Sequence, residues 1–355
     1  MKYLFYILTF TLLLSCKSAD LGETPNSDSE MYFPPLASTD WQTTNPADLQ
    51  WQTDNLPTLY DYLENNGTKG FIILKNGKIV VEKYFNGHSQ HAKHNWYSAA
   101  KTLTSLTVGI AEQEGFLSIN DKTSDYLGVN WTSLPIEKEN LIHIKHQLTM
   151  TTGLNDANFS STLPADLTFL ADAGTRWAYH NGPYTLLQNV VENATNTNFS
   201  DYFNEKIATK IGLNGFWFTY GDLHIYRSDT RSMARFGLLI LNQGYWNNEQ
   251  LINQTYFNAM TNTSQNINKS YGYLWWLNGK ENFMRPASQT VYDGSIIPNA
   301  PNDLIAALGA NDQKIYVIPS KSMVIVRCGD SSGTTNLAIS GFDNVLWEKL
   351  NNIIP

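Results

Sequence analysis

The order of periodic segments predicts an α+β fold, in which one antiparallel sheet is assembled from both chain ends with helices on its faces and a mainly helical insert. Three observations carry this expectation. Short apolar runs with a tight turn open the globular part, helical periodicity dominates roughly residues 120 to 260, and short apolar runs return before a last helix.

The N-terminal strands come first. Phe71 to Leu74 and Ile79 to Val81 flank Asn76-Gly77, the dipeptide that suits a two-residue hairpin loop. A helical stretch begins at Ser98, runs to about Glu114 and is ended by Gly115. Pro183 to Thr195 and Thr230 to Asn242 carry the clearest 3.6-residue pattern of the insert. After it, Tyr271–Leu277, Leu304–Leu308, Lys314–Ile318 and Met323–Arg327 read as strands with turn residues between them, and a helix spans about Leu337 to Leu350. The short connections suggest antiparallel pairing.

A chain of 355 residues, 42% hydrophobic and 16% charged, can bury a large core. Net charge is −8 with a pI near 5.4 and no run of Lys or Arg, so a nucleic-acid partner is not expected. Cys16 and Cys328 are the two cysteines; Cys328 sits in an apolar run and reads as a small buried hydrophobe. Met1-Lys2 precedes an apolar run, Tyr3 to Leu14, too short to span a bilayer but right for a signal segment. Its end, Leu13-Leu14-Ser15-Cys16, resembles the lipobox of bacterial lipoprotein signals. That resemblance implies residues 1–16 are a signal peptide, Cys16 is lipidated, and the protein is held to a membrane of the bacterial cell envelope. Lys17 to about Asn45 is rich in Ser, Thr, Asp and Pro without periodicity, which places a flexible tether at 17–50 and the globular domain at 51–355.

Ser98-Ala-Ala-Lys101 is the chemical centre of the sequence. Ser98 opens a helix, where backbone N–H groups and the positive end of the dipole favour developing negative charge. Lys101 stands three residues on, on the same face. A buried lysine loses basicity and can accept a serine proton. About one Ser-x-x-Lys is expected by chance in such a chain, so context decides its weight.

That context is Tyr97-Ser98-Ala-Ala-Lys101-Thr102, then Leu117 to Asp121, His143 to Leu154, and Gly174-Thr175-Arg176-Trp177-Ala178-Tyr179-His180-Asn181. The order resembles the serine β-lactamase-related family, including class C β-lactamases, their esterase relatives and 6-aminohexanoate-dimer hydrolase, from about residue 60 onward. The resemblance implies a DD-peptidase/β-lactamase-like fold with Ser98 as nucleophile and Lys101 as base. It further implies that Tyr179 shares proton transfer and that Asn181 orients the substrate amide or the lysine. The third family motif falls on Ala307 to Gln313: Gly309 is kept, and the backbone N–H of Ala310 would join that of Ser98 as an oxyanion hole. The family's cation is absent at Ala307, and Asn311-Asp312 replace glycines common in relatives, a change expected at the cleft rim.

Gly329-Asp330-Ser331-Ser332-Gly333 fits a Gly-x-Ser-x-Gly elbow, but all seven histidines lie upstream, so the chain order of an α/β-hydrolase fails. His88, His91 and His94 read as a solvated loop rather than a metal site. Trp96, Tyr97, Trp177, Trp217, Trp275 and Trp276 are divided between pocket walls and core. The expectation is a serine hydrolase acting on an ester or amide without metal or organic cofactor. The alternatives are a catalytically silent envelope binding protein and a cell-wall D-peptidase.

Overall fold

The computed structural model describes residues 1, 31–36, 38–333 and 339–355, and residues 31–355 form one compact unit. Helix α1 (Leu56–Asn65) leads into strands β1 (Thr68–Lys75) and β2 (Lys78–Tyr84). Asn76 and Gly77 between them both have positive φ, 49° and 80°, the handedness a two-residue hairpin loop demands. Helix α2 (Lys101–Gln113) precedes the insert, and helix α3 (Asn181–Thr195) belongs to it. A hairpin follows, β3 (Gly215–Tyr220) and β4 (Leu223–Ser228), and then helix α4 (Thr230–Leu241). Strands β5 (Ile305–Gly309), β6 (Gln313–Ile318) and β7 (Met323–Gly329) and helix α5 (Gly341–Asn351) close the chain.

The main sheet runs β2-β1-β7-β6-β5, with a two-residue strand, Trp276–Leu277, at its edge. All its pairings are antiparallel. The N-terminal hairpin is therefore stitched to the C-terminal strands through β1 and β7, as the α+β reading expects. Alternation along β6 sorts the layers. Lys314 and Tyr316 reach Asp343 of α5, whereas Ile315 faces Gly237 of α4, where an added Cβ would stand 2.4 Å from Val324. One helix thus covers each face of the sheet.

The structure corrects four expectations. The tether does not run flexibly through 17–50: from Met31 the chain is docked. Trp41 Nε1 donates to Gly77 O at 2.7 Å, Thr44 N and Ile79 O pair at 2.8 Å, and Arg235 donates to Pro35 O at 2.7 Å. Edge pairing and one buried aromatic hold a segment that shows no periodicity. Cys16 and the proposed signal lie outside the described residues. The strand expected at Tyr271–Leu277 pairs only over Trp276–Leu277, apart from an isolated bridge at Tyr271. The last helix begins at Gly341, where Ser340 and Asp343 form a capping box; residues 334–338, covering its expected start, lie outside the described residues. The β3–β4 hairpin stands inside a region read as helical.

Candidate active site

Ser98 sits in a 3-10 turn, Tyr97–Ala100, that runs directly into α2. The chain is forced into this turn from both sides. His94 and Asn95 pair with Ser228 and Arg227 of β4, and buried Trp96 donates its indole N–H to Ser228 Oγ at 2.7 Å. Tyr97 then takes a positive φ of 48°, a strained conformation for a residue with a side chain, which presents Ser98 at the cleft.

Lys101 is 2% exposed, and its ammonium nitrogen stands 3.1 Å from Ser98 Oγ. Its other neighbours are aromatic: the ring centroids of Tyr184 and Tyr179 lie 4.2 and 5.0 Å from Nζ. Burial lowers its pKa from 10.5 to about 7. The expected ingredient, loss of basicity by desolvation, is therefore present without a second cation. A neutral amine at this spot is a competent acceptor for the serine proton.

Tyr179 enters the same cavity from the segment before α3. Its ring is caged by Trp276, stacked at 5.9 Å, and by Trp177 and Tyr271 at 6.4 and 6.3 Å. Burial holds its phenol well above the ordinary value, only partly offset by hydrogen bonding to Ser98. Burial thus favours the protonated phenol, which can donate a proton. Asn181, first residue of α3, lines the cavity; its Nδ2 reaches Ser160 Oγ at 3.4 Å, and its Oδ1 has no hydrogen-bond partner among the described residues.

The third motif also reaches the site. A Cβ on Gly309 would sit 2.3 Å from Trp96 O and 3.1 Å from Ala99 N, so only glycine lets β5 approach the Ser98 turn this closely. Ala310 and Asn311 line the cavity. Asp312 does not stand at the rim as expected. It is fully buried, accepts hydrogen bonds from Ser332 and Ser340, and pairs with Lys314 at 3.4 Å. Asn311 and Asp312 both adopt left-handed φ, 57° and 60°. Arg327 holds that bend by donating to the carbonyls of Asn311 at 2.8 Å and Asp312 at 2.9 Å. Ala307 is buried in β5, so no cation replaces the missing one there.

The cavity holds about 330 Å³ and is lined by these residues together with Phe159, Tyr184, Tyr220, Leu223, Ile225 and Pro286. Lys101 is the one charged residue among its described lining. Of the aromatic residues singled out in the sequence, Tyr97 reaches the cavity, Trp177 and Trp276 pack behind Tyr179, and Trp217 packs behind the hairpin against Phe199. Tyr184, the hairpin residues and Arg327 were missed. Signals for two existed: Phe216-Trp-Phe218-Thr-Tyr220-Gly221 alternates and turns as a hairpin does, and Arg327 interrupts an apolar strand.

A second cavity of about 260 Å³, away from Ser98, is lined by Trp41, His91, Arg231 and Arg235. Its arginines are committed to Glu82 and to backbone carbonyls. Among the described residues no group of three or more His, Cys, Asp or Glu stands together as a metal site, and no helix is long and apolar enough to cross a membrane.

Comparison with known proteins agrees with the fold. The family model described as Beta-lactamase matches residues 63–326. An uncharacterized protein of Alkalihalophilus pseudofirmus is 25% identical over 319 residues, covering 79% of this chain and 88% of its own. A Bacillus anthracis structure described as a 6-aminohexanoate-dimer hydrolase superposes with a TM-score of 0.67 at 20% identity, covering 91% of this chain and 88% of its own. A penicillin binding protein from Bacillus halodurans gives 0.61 at 15% identity, covering 82% and 99%.

Proposed function

Because the chain belongs to the beta-lactamase family and carries that family's serine-hydrolase fold, we propose that it hydrolyses an uncharged ester or amide through an acyl-enzyme on Ser98. The observation that carries this reading is the 3.1 Å contact between Ser98 Oγ and an amine whose burial has brought its pKa to about 7. Ser98 Oγ attacks the carbonyl carbon while Lys101 takes the hydroxyl proton. The carbonyl oxygen becomes an oxyanion between the backbone N–H groups of Ser98 and Ala310. Collapse breaks the bond to the leaving group, which receives a proton either from the Lys101 ammonium directly or from the Tyr179 phenol as that ammonium reprotonates it, so that Lys101 is neutral again. Water then attacks the acyl-enzyme with Lys101 again as base, releasing the acid and Ser98.

A neutral substrate is favoured over a β-lactam or a stem peptide because each of those brings a carboxylate. The described lining offers no cation for it beyond the catalytic lysine, and Ala307 cannot supply one. Fluorophosphonate labelling and a panel of nitrophenyl esters, anilides, nitrocefin and a D-Ala-D-Ala peptide, run on the wild type and Ser98→Ala, test this. Ester or anilide turnover is expected to exceed peptide turnover and to vanish in S98A. An unlabelled, inert wild type would instead leave a silent binding protein. The sequence Leu13 to Cys16 further supports a lipid anchor at the envelope, tested by loss of palmitate incorporation in Cys16→Ala.

A further inference from the structure

Resting on the hydrolase reading, we propose that Phe216, Phe218 and Tyr220 form an extended subsite that takes a long alkyl or acyl limb of the substrate. Strand alternation puts these three side chains on one face of β3. The register sets Phe218 opposite Ile225, Tyr220 opposite Leu223 and Phe216 opposite Arg227. Ile225, Leu223 and Tyr220 line the catalytic cavity, so the ladder is the continuation of the cavity wall.

The rings form an unbroken track. Phe216 and Phe218 centroids stand 5.9 Å apart, Phe218 and Tyr220 6.5 Å, and Tyr220 meets Tyr97 edge-on at 5.9 Å, one residue from the nucleophile. Phe216 is 47% exposed and Tyr220 52%. Folding of the hairpin does not need them there. Its opposite face already anchors it through Trp217, buried against Phe199 at 5.2 Å and Phe203 at 5.4 Å. Phe216 and Tyr220 about half in water, with the part-buried Phe218 between them, disfavour the free protein, and an apolar ligand recovers that free energy.

The chemistry of the face selects the occupant. Thr219 and His224 pair across the other face, so between Tyr220 and Phe216 the track offers rings and aliphatic carbon with the Tyr220 hydroxyl at one end. A peptide or glycan laid along it would leave amides or hydroxyls without partners. An alkyl chain has none to satisfy. Cations mark the far end: Arg227 opposite Phe216, and Lys93 with Nζ 5.6 Å from the Phe216 ring. At about 3.4 Å per residue the track is roughly 14 Å long, room for a medium-length chain.

The experiment compares nitrophenyl butanoate, octanoate and dodecanoate, and a matching series of alkyl butanoates, below micelle-forming concentrations. The proteins are the wild type, S98A and the double variant F216T/F218T. Threonine keeps strand propensity, and a thermal melt confirms folding. In one of the two series, wild-type kcat/KM is expected to rise at least about tenfold from the short to the eight-carbon limb. F216T/F218T should lose most of that rise through KM, with the short ester unchanged. Turnover without chain-length preference, or an equal loss on the short ester, overturns the subsite alone. So does a variant that keeps its octanoate turnover but loses binding to phosphatidylcholine vesicles, since the ladder would then serve a membrane. Absence of any Ser98-dependent turnover overturns the hydrolase reading and the subsite with it.

Discussion

Lys101→Met separates the two consequences of burying an amine. The side chain is 2% exposed, faces two aromatic rings, and has its pKa lowered from 10.5 to about 7 by burial. At about 1.4 kcal/mol per unit, folding disfavours the charged amine by about 5 kcal/mol. The folded-state value lies below the unfolded one, so between pH 7 and 10.5 the unfolded chain holds more protons and stability rises with pH. Below pH 7 both states are protonated and the full penalty remains. Methionine has similar length and nothing to titrate; it gives up the Ser98 hydrogen bond, worth about 1 kcal/mol, and replaces the amine against the two rings with a thioether. The penalty that the substitution removes is therefore about 4 kcal/mol at pH 7 and about 2 kcal/mol at pH 9. Lys101→Met should be inactive yet more stable than the wild type at pH 7, with its advantage falling by about 2 kcal/mol by pH 9. Urea unfolding of both proteins at pH 6, 7, 8 and 9 gives the difference, in which the other titrating groups cancel. Parallel stability curves across that range would refute the reasoning, because they would mean that the amine keeps its proton on folding.

Three further outcomes are expected. The kcat/KM of the wild type should rise with pH and level off above about 7, as Lys101 loses its proton; a profile flat from pH 5 to 8 would remove it as the base. Tyr179→Phe keeps the ring in its cage of Trp276 and Tyr271 but deletes the hydroxyl, so kcat should fall about 10²-fold or more while the melting temperature moves little. Gly309→Ala places a methyl 2.3 Å from the Trp96 carbonyl, where both partners are backbone; stability should drop by about 1–3 kcal/mol and fluorophosphonate labelling should slow about 100-fold.

The site was legible wherever covalent spacing or steric necessity fixes it. Ser98 and Lys101 are one helical turn apart, so a helix there sets both on one face, and Gly309 announces a close approach. The sheet was legible because its strands are apolar runs that a buried antiparallel layer requires. Long-range placement was not. The β3–β4 hairpin was hidden because Trp217 and Tyr226 give its buried face an apolar pattern that neighbouring helices also supply. The docked segment from Met31 was hidden because edge pairing uses backbone groups every sequence has. Asp312 looked like a rim residue because distance along the chain cannot tell which way a bend turns. Two consecutive left-handed residues send its side chain inward to Ser332, Ser340 and Lys314.

That inward turn bears on what the cleft can accept. Charge near the β5–β6 bend is spent behind the strand rather than in the cleft. Lys314 lies fully buried at 2.9 Å from Asp343 and 3.4 Å from Asp312, and Arg327 meets the bend through the carbonyl oxygens of Asn311 and Asp312. Burial opposes ionisation of Asp312, yet Lys314 and the Ser340 and Ser332 hydroxyls hold its carboxyl below the ordinary value. A depressed carboxylate stabilises the fold above its unfolded pKa, about 3.9, and loses that contribution as pH falls. Asp312→Asn should therefore destabilise by about 3–5 kcal/mol at pH 7, because it leaves a buried lysine with one partner fewer, and the difference from the wild type should narrow below about pH 4. If the network exists to hold Ala310 in place, the same variant should lower kcat more than it raises KM, and Asp312→Glu should not restore it, since the extra methylene cannot fit a fully buried bend. A variant with unchanged kcat would show that Ala310 is positioned by Gly309 packing against the Ser98 turn alone.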